Sequence, residues 1–124
     1  MLIRGIRGAT TAEENDADAI LVATRALLEA MAATNAVRNE DLAAVYFTVT
    51  PDLDAAFPAT AARQLGWQHV PLLDACEIPV PGSLARCIRV LFLWNTERGQ
   101  EEIVHVYQGE AVRLRPDLAR KEVM

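Results

Sequence analysis

One arginine interrupts an otherwise apolar run in the second half of this chain. Arg89 lies within the segment CIRVLFLW (residues 87–94), whose other side chains are apolar on both faces of any strand that the segment could form. An arginine keeps its positive charge at every accessible pH, and burying a charge without a partner costs more free energy than one packed side chain returns. Arg89 therefore requires an anionic partner, either a carboxylate of the protein or a carboxylate of a ligand.

The length and composition favour one globular domain. The chain has 124 residues, of which 52% are hydrophobic and 23% are charged, which suits one compact core. We expect a single domain over residues 1–116 and a mobile polar tail over residues 117–124. The longest apolar run is too short to span a bilayer, and the amino terminus has no signal-peptide pattern. A cytoplasmic protein without membrane contact is therefore expected.

Charge and cysteine content disfavour several classes of function. The net charge of −5 argues against nucleic-acid binding, which needs a basic surface. Cys76 and Cys87 have no CxxC spacing and few histidines nearby, so we expect no metal site and two buried, unpaired cysteines. Eleven of the twelve basic residues are arginine. Either codon bias in an alanine-rich genome or the use of planar guanidinium groups to bind anions explains that excess.

The spacing of apolar residues predicts two helices. The first is expected over residues 16–34, because Asn15 and Asp16 are typical of a helix start, Asp18 adds negative charge in the first turn, and apolar side chains then recur at helical spacing. Asn35 ends this helix. The second is expected to begin at Phe57-Pro58 and to end before Gly66.

Alternating or β-branched segments predict six strands, which gives the element order β-α-β-α-β-β-β-β. They are expected at residues 2–10, 43–50, 67–73, 86–94, 103–107 and 111–114. Pro71 indicates an edge position for the third strand, and Gln108-Gly109 is expected to connect the last two strands as a hairpin. The fold class is therefore α+β, with a single mixed sheet and helices on one face.

Six segments follow one another in a specific order along the chain. They are IRGIRGATT (3–11), TVTPDLDAAFPA (48–59), Arg63, VPGSLARCIRV (80–90), HVY (105–107) and VRLRPDL (112–118). Together they resemble the AroH class of chorismate mutase over almost the whole chain. The resemblance implies a homotrimer, a pseudo-α/β-barrel in which three sheets form the core and each active site lies in a cleft between neighbouring subunits.

The resemblance also implies the roles of individual residues. Arg7 corresponds to a substrate-binding arginine, Arg89 to the arginine at the reacting ether oxygen, and Glu77 to the glutamate that holds the substrate's hydroxyl group. These three are the expected catalytic residues. Further substrate contacts are expected from Phe57, Ala59, Arg63, Leu73, Asp74, Tyr107, Leu114 and Arg115.

The expected substrate contacts divide between subunits, and two positions depart from the family pattern. Phe57, Ala59 and Arg63 match positions that the neighbouring subunit contributes, whereas Leu114 and Arg115 match the mouth of the cleft and its closing tail. Asp74 stands where family members often have cysteine, and Thr60 stands where lysine is common. Both departures bear on affinity more than on reaction type. We expect Asp74 to face away from the substrate or to rest against a backbone donor.

The reaction that the resemblance implies is the intramolecular [3,3] rearrangement of chorismate to prephenate. Such a reaction needs no nucleophile, proton transfer, metal or cofactor. It can be accelerated by holding the flexible dianion in its reactive conformer and by stabilising the negative charge that develops on the ether oxygen. Arginine side chains suit both tasks.

Without the resemblance, the same residues allow other interpretations. Arg89 would be a structural ion-pair residue, with Glu77 or Asp74 as its partner, and Phe57 would pack as a hydrophobic staple for the second helix. The chain could also be a non-enzymatic trimer that binds small anionic metabolites, for which loss of the Arg89 and Glu77 pair is expected. A pure scaffold would instead show an exposed apolar patch and no charge in a central strand. The presence of both Arg89 and Glu77 favours the enzyme.

Overall fold

A computed structural model describes residues 2–114, which form a five-stranded mixed sheet. The elements are β1 (Leu2–Thr11), α1 (Ala17–Asn35), β2 (Leu42–Val49), α2 (Ala59–Gln64), β3 (Leu72–Cys76), β4 (Cys87–Thr96) and β5 (Val106–Tyr107), with short 3₁₀ helices at Asn39–Asp41, Gln100–Glu102 and Gly109–Arg113. The strand order is β3-β2-β4-β1-β5. The central strand β4 runs antiparallel to β1 and β2, and the two outer strands pair in parallel. Arg115 and the expected tail lie outside the described residues.

Helix α1 begins and ends where the sequence predicts. The Asp16 side chain accepts a hydrogen bond of 2.7 Å from the amide of Ala19, which satisfies one of the donors that a helix start leaves unpaired. Ala36 follows the helix in the left-handed conformation with φ of 56°. At Gly8 of β1 a Cβ atom would overlap the sulfur of Met31, so glycine allows α1 to lie close against the sheet.

Both helices pack on the same face of the sheet, which confirms the predicted architecture. Ile6, Phe47 and Phe92 are fully buried on this helix-covered face. They share one core with side chains of α1 and α2, namely Leu27, Leu28, Met31, Ala59, Ala61 and Ala62. The alternate residues of each strand point the other way. Neither α1 nor α2 covers them, and among the described helices only the 3₁₀ helix Gly109–Arg113 packs against one end of this surface, at Ala9 and Tyr107. We call this second surface the open face.

The predicted carboxy-terminal hairpin is wrong. Residues 109–113 form a 3₁₀ helix, and β5 pairs in parallel with β1 instead of with a following strand. Gly109 has φ of 57°, and the next amide, that of Glu110, donates to the hydroxyl of Thr11 at 3.1 Å. The residues that were expected to bond across a hairpin thus form their hydrogen bonds with β1 instead.

The third strand is shifted from its predicted place. It covers Leu72–Cys76 rather than residues 67–73, because Trp67 and Val70 fill the core after α2 instead of alternating across a strand. The ring of Trp67 meets that of Phe92 edge to face at 5.7 Å between centroids. The edge position inferred from Pro71 is confirmed, since among the strands of residues 2–114 β3 pairs with β2 alone.

The prediction for the two cysteines is half right. Cys87 is buried and unpaired as predicted, but Cys76 is exposed, so that half of the prediction is wrong. Within residues 2–114, no helix is long and apolar enough to cross a membrane, and no group of three or more His, Cys, Asp or Glu side chains could hold a metal ion.

Candidate active site

Three neighbouring strands bring several of the expected site residues together on the open face. Ala9 of β1 lies directly beside Arg89 of β4 on one side and Tyr107 of β5 on the other. Arg7 lies two residues before Ala9 in β1, on the same face. Residues opposite one another in adjacent strands point to the same face. These side chains and Leu114 line a cleft of about 430 Å³. We call it the arginine cleft.

Arg89 pairs with a carboxylate of the protein, which is one of the two kinds of anionic partner expected from its sequence context. Its Nε atom lies 2.9 Å from Oε2 of Glu77. The Thr48 hydroxyl donates a hydrogen bond of 2.6 Å to the same oxygen, and the Glu77 amide donates to the carbonyl of Val49 at 2.9 Å. Both contacts tie Glu77 to β2. A guanidinium has five N–H donors, so this ion pair does not exhaust the donors of Arg89.

The expected burial of Arg89 is wrong for the single chain. Its side chain is 48% exposed, whereas that of Glu77 is 16% exposed. Ile88 and Val90, its neighbours in β4, point into the core, and the alternation of the strand places Arg89 on the open face. The apolar run is therefore explained by a strand with one helix-covered face and one open face.

Arg7 and Tyr107 occupy the other side of the arginine cleft. The Arg7 amide donates a hydrogen bond of 2.9 Å to Nδ1 of His105, so His105 helps to hold β1 where Arg7 projects. Tyr107 is largely buried and packs with Ala9, and Leu114 packs against this pair. No spacing pattern in the sequence indicates Thr48 or His105, because their roles depend on contacts between distant strands.

Cys87 lies on the same strand face as Arg89, two residues earlier. Burial raises the pKa of its thiol, although the guanidinium of Arg89 acts in the opposite direction. The thiol therefore stays neutral at physiological pH and serves as a small packing residue, since only a thiolate is a good nucleophile.

The remaining expected residues lie outside the arginine cleft. Phe57 is 70% exposed and lines a second cavity of about 430 Å³, together with the side chain of Asp74. We call this cavity the α2 depression. Arg63 lines a different hollow beside Trp67, and Leu73 is exposed on β3 beside Tyr46. One chain thus does not assemble all expected substrate contacts in one cavity.

Asp74 contacts the start of α2 rather than the arginine cleft. Its register partner is Phe47, which points into the core. Its Oδ1 atom accepts a hydrogen bond of 3.1 Å from the amide of Ala59, which confirms the expected backbone donor. Burial raises the pKa of Asp74, although this hydrogen bond and the charge of Arg63 oppose the shift. Ala59 itself is fully buried, so its methyl group packs in the core.

Comparison with known proteins decides the family. The family model described as chorismate mutase type I matches residues 3–118. The chain belongs to the type I chorismate mutase family. The family resemblance seen in the ordered sequence motifs is thereby confirmed.

Individual members of the chorismate mutase family are similar over nearly their full length. Chorismate mutase AroH of Thermus thermophilus is 61% identical over 118 residues, covering 94% of this chain and 97% of that protein. Chorismate mutase AroH of Bacillus subtilis (strain 168) is 47% identical over 120 residues, with 96% and 94% covered. A solved chorismate mutase from Clostridium thermocellum has 50% identity and a TM-score of 0.85, covering 86% of this chain and 96% of that one. This likeness also supports the α+β fold.

Proposed function

We propose that this protein is an isomerase that converts chorismate to prephenate, a step of phenylalanine and tyrosine biosynthesis in the cytoplasm. The observation that carries the proposal is the Arg89 guanidinium held 2.9 Å from Glu77 in a cleft that Arg7 and Tyr107 also line. Membership of the chorismate mutase family supports the reaction type.

Arg7 and Tyr107 are proposed to bind the carboxylates of the substrate. A guanidinium can donate two parallel hydrogen bonds to a carboxylate, and a phenol can donate one. Chorismate is a flexible dianion, and fixing both ends of it in the compact reactive conformer removes much of the entropic part of the barrier. Leu114 and the expected contact Arg115 would close the mouth of the cleft.

Arg89 is proposed to stabilise the charge that develops on the breaking ether oxygen. A fixed cation needs no reorganisation when the charge appears, which makes it effective in the transition state. Glu77 orients Arg89 through its Nε contact and is proposed to accept the substrate's hydroxyl group. Thr48 keeps this carboxylate in place through its hydroxyl. No metal or cofactor is required for this reaction.

The site is proposed to be completed by a neighbouring subunit of a homotrimer. Two observations support this assembly. The expected contacts Phe57 and Arg63 lie in cavities separate from the arginine cleft, and the open face exposes Tyr46 and Leu73 beside it. A closed three-fold ring uses head-to-tail interfaces, which would bring the α2 region of one subunit to the cleft of the next.

The decisive experiment follows the absorbance of chorismate in the presence of purified protein, with and without a chelator. We expect prephenate to form at the same rate in both samples. A folded protein that consumes no chorismate, or one that a chelator inactivates, would contradict the proposal. The alternative, a trimer that only binds anionic metabolites, is not favoured because Arg89 and Glu77 are both present and paired.

A further inference from the structure

Arg86, the residue before β4, has a backbone conformation that side chains disfavour. Its φ is 49°, in the left-handed region where a Cβ atom meets the backbone. Such a residue persists only where surrounding contacts hold it, and it is often found near functional sites. Arg86 is also the last residue of the loop that begins at Glu77, and Arg89 follows three positions later.

Three hydrogen bonds hold Arg86 in this conformation. Its amide donates to Oδ2 of Asp52 at 2.9 Å. Its Nε atom donates to the carbonyl of Ala12 at 3.0 Å, and the Ala12 amide donates to the carbonyl of Arg86 at 2.9 Å. The backbone donor and acceptor of Arg86 are both used, so the end of β1 and the turn after β2 fix this residue together.

Asp52 connects the same turn to the first residue of β4. Its Oδ1 atom accepts a hydrogen bond of 2.5 Å from the Thr50 hydroxyl, and that hydroxyl accepts one of 2.9 Å from the amide of Cys87. Although burial opposes the effect, the hydrogen bonds from Thr50 and from the Arg86 amide lower the pKa of Asp52. The carboxylate is therefore ionised at neutral pH and accepts strong, charge-assisted hydrogen bonds.

The two ends of the loop meet beside the end of β2. At one end the Glu77 amide donates to the carbonyl of Val49, and at the other the Thr50 amide donates to the carbonyl of Cys87. Between them Ile78 and Val80 are largely exposed. The relative position of Glu77 and Arg89 thus depends on how the loop ends are fixed.

We propose that Asp52 is a positioning residue, which holds the Arg86 amide and the start of β4 so that Arg89 meets Glu77. The kinetic part of this inference rests on the proposed function. Arg7 and Tyr107, the proposed carboxylate ligands, lie on β1 and β5, whereas the Asp52 side chain accepts its hydrogen bonds from Thr50 and the Arg86 amide. Loss of Asp52 should therefore lower kcat more than it raises KM.

The test compares Asp52→Ala, Asp52→Asn and Asp41→Ala with the unmodified protein. Asp41 is a matched control, because it also faces an arginine, Arg38, at 3.4 Å but lies at the opposite end of β2. For each protein, kcat and KM for chorismate are measured together with amide hydrogen exchange over residues 77–89. We expect Asp52→Ala to lower kcat by roughly 10- to 100-fold, the range that a misplaced reacting group can cost, and to increase exchange in this segment. Asp52→Asn should recover part of kcat, since one amide oxygen can still accept a hydrogen bond.

Unchanged exchange over residues 77–89, an unchanged kcat, or equal effects in Asp41→Ala would each overturn the inference. If Asp52→Ala does not fold, Asp52→Asn carries the comparison. If the unmodified protein does not consume chorismate, the proposed function is wrong, whatever the role of Asp52. The exchange measurement then still decides whether Asp52 holds the start of β4.

Discussion

The arginine cleft and the α2 depression are built on different kinds of backbone. Arg7, Arg89 and Tyr107 lie on three hydrogen-bonded strands, and strand pairing fixes the distances between their Cα atoms. Phe57 instead lies in the irregular segment before α2 and is 70% exposed, and Arg63 lies near the end of α2, which has six residues. The cleft is thus suited to hold fixed charges, whereas the α2 region is suited to form an adjustable wall.

This contrast assigns the two regions different kinetic roles. A preorganised charge stabilises a transition state because it does not have to move as the reaction proceeds. A wall that mainly encloses the substrate changes ground-state and transition-state binding by similar amounts. Substitutions in the cleft should therefore appear mostly in kcat, and substitutions in the α2 region mostly in KM.

The largest effect is expected from removing the charge of Arg89. Arg89→Ala should lower kcat by about 10²- to 10³-fold, as for the loss of one preorganised charge-stabilising donor. Arg89→Lys should restore only part of the rate, because an ammonium group does not reproduce the planar set of guanidinium donors. Steady-state kinetics on chorismate measures both. Arg38→Ala is the control, because Arg38 is an exposed arginine beside the carboxylate of Asp41. A folded Arg89→Ala protein with nearly normal kcat would show that Arg89 is structural.

The next effect tests whether the two regions meet across a subunit boundary. Arg89→Ala damages the arginine cleft, and Arg63→Ala damages the α2 region. If each site takes one half from each of two neighbouring chains, refolding the two variants together in equal amounts should leave about one site in four intact. At a chorismate concentration far below the raised KM of Arg63→Ala, activity should then rise well above the sum of the two parents.

Sedimentation of the same samples completes this test of assembly. Trimers are expected for both parents and for the mixture. An active monomer, or a mixture no more active than its parents, would contradict the shared site even if the chemistry is right.

A smaller loss is expected when the partner of Arg89 loses its charge. Glu77→Gln keeps an oxygen that can accept from the Thr48 hydroxyl but removes the ion pair with Arg89. Hydrogen bonds to charged groups contribute about 1.5–3 kcal/mol, so kcat/KM should fall by roughly 10- to 100-fold. Glu110→Gln, which removes an exposed carboxylate beside Arg113, is the control. An unchanged kcat/KM in Glu77→Gln would assign Glu77 a structural role.

The fold was predictable from the sequence wherever local patterns determine structure. Helix α1 follows from the helix start at Asn15 and Asp16 and from its apolar spacing. Strand β1 follows from alternation, β2 from its β-branched and aromatic residues, and β4 from its apolar run. The errors occur where distant contacts decide. The apolar residues Trp67 and Val70 fill the core after α2 and so imitate a strand, and β5 pairs with the edge of β1 rather than with the residues after Gly109.

The site was less predictable from local patterns than from the resemblance to a family. Periodicity alone does not tell whether Arg89 meets a protein carboxylate or a ligand, because Glu77 lies 12 residues earlier and reaches it through a loop. Thr48 and His105 were missed for the same reason. Their hydrogen bonds to Glu77 and Arg7 join segments that are far apart in sequence.

Asp74 provides the test with the smallest expected kinetic effect, and it separates the two regions most directly. Its carboxylate rests on the Ala59 amide on the helix-covered side, away from the arginine cleft. Asp74→Cys should therefore change KM for chorismate little. A large decrease in KM on removing this negative charge would show that the carboxylate faces the dianionic substrate.

The stability of the Asp74 variants should depend on pH in a defined direction. Burial raises the folded-state pKa of Asp74 above its usual value of 3.8, so folding disfavours its ionised form. The stability associated with the neutral carboxyl is fully present below pH 3.8 and is lost as the pH rises through the folded-state pKa. Asp74→Asn stays neutral and can still accept from Ala59, so its Tm relative to the unmodified protein should be higher at pH 7 than at pH 3. Thermal unfolding at the two pH values measures this difference, and Asp41→Asn, at a carboxylate that is 36% exposed, is the control. A relative Tm that falls between pH 3 and pH 7 would instead mean that the attraction of Arg63 outweighs the cost of burial.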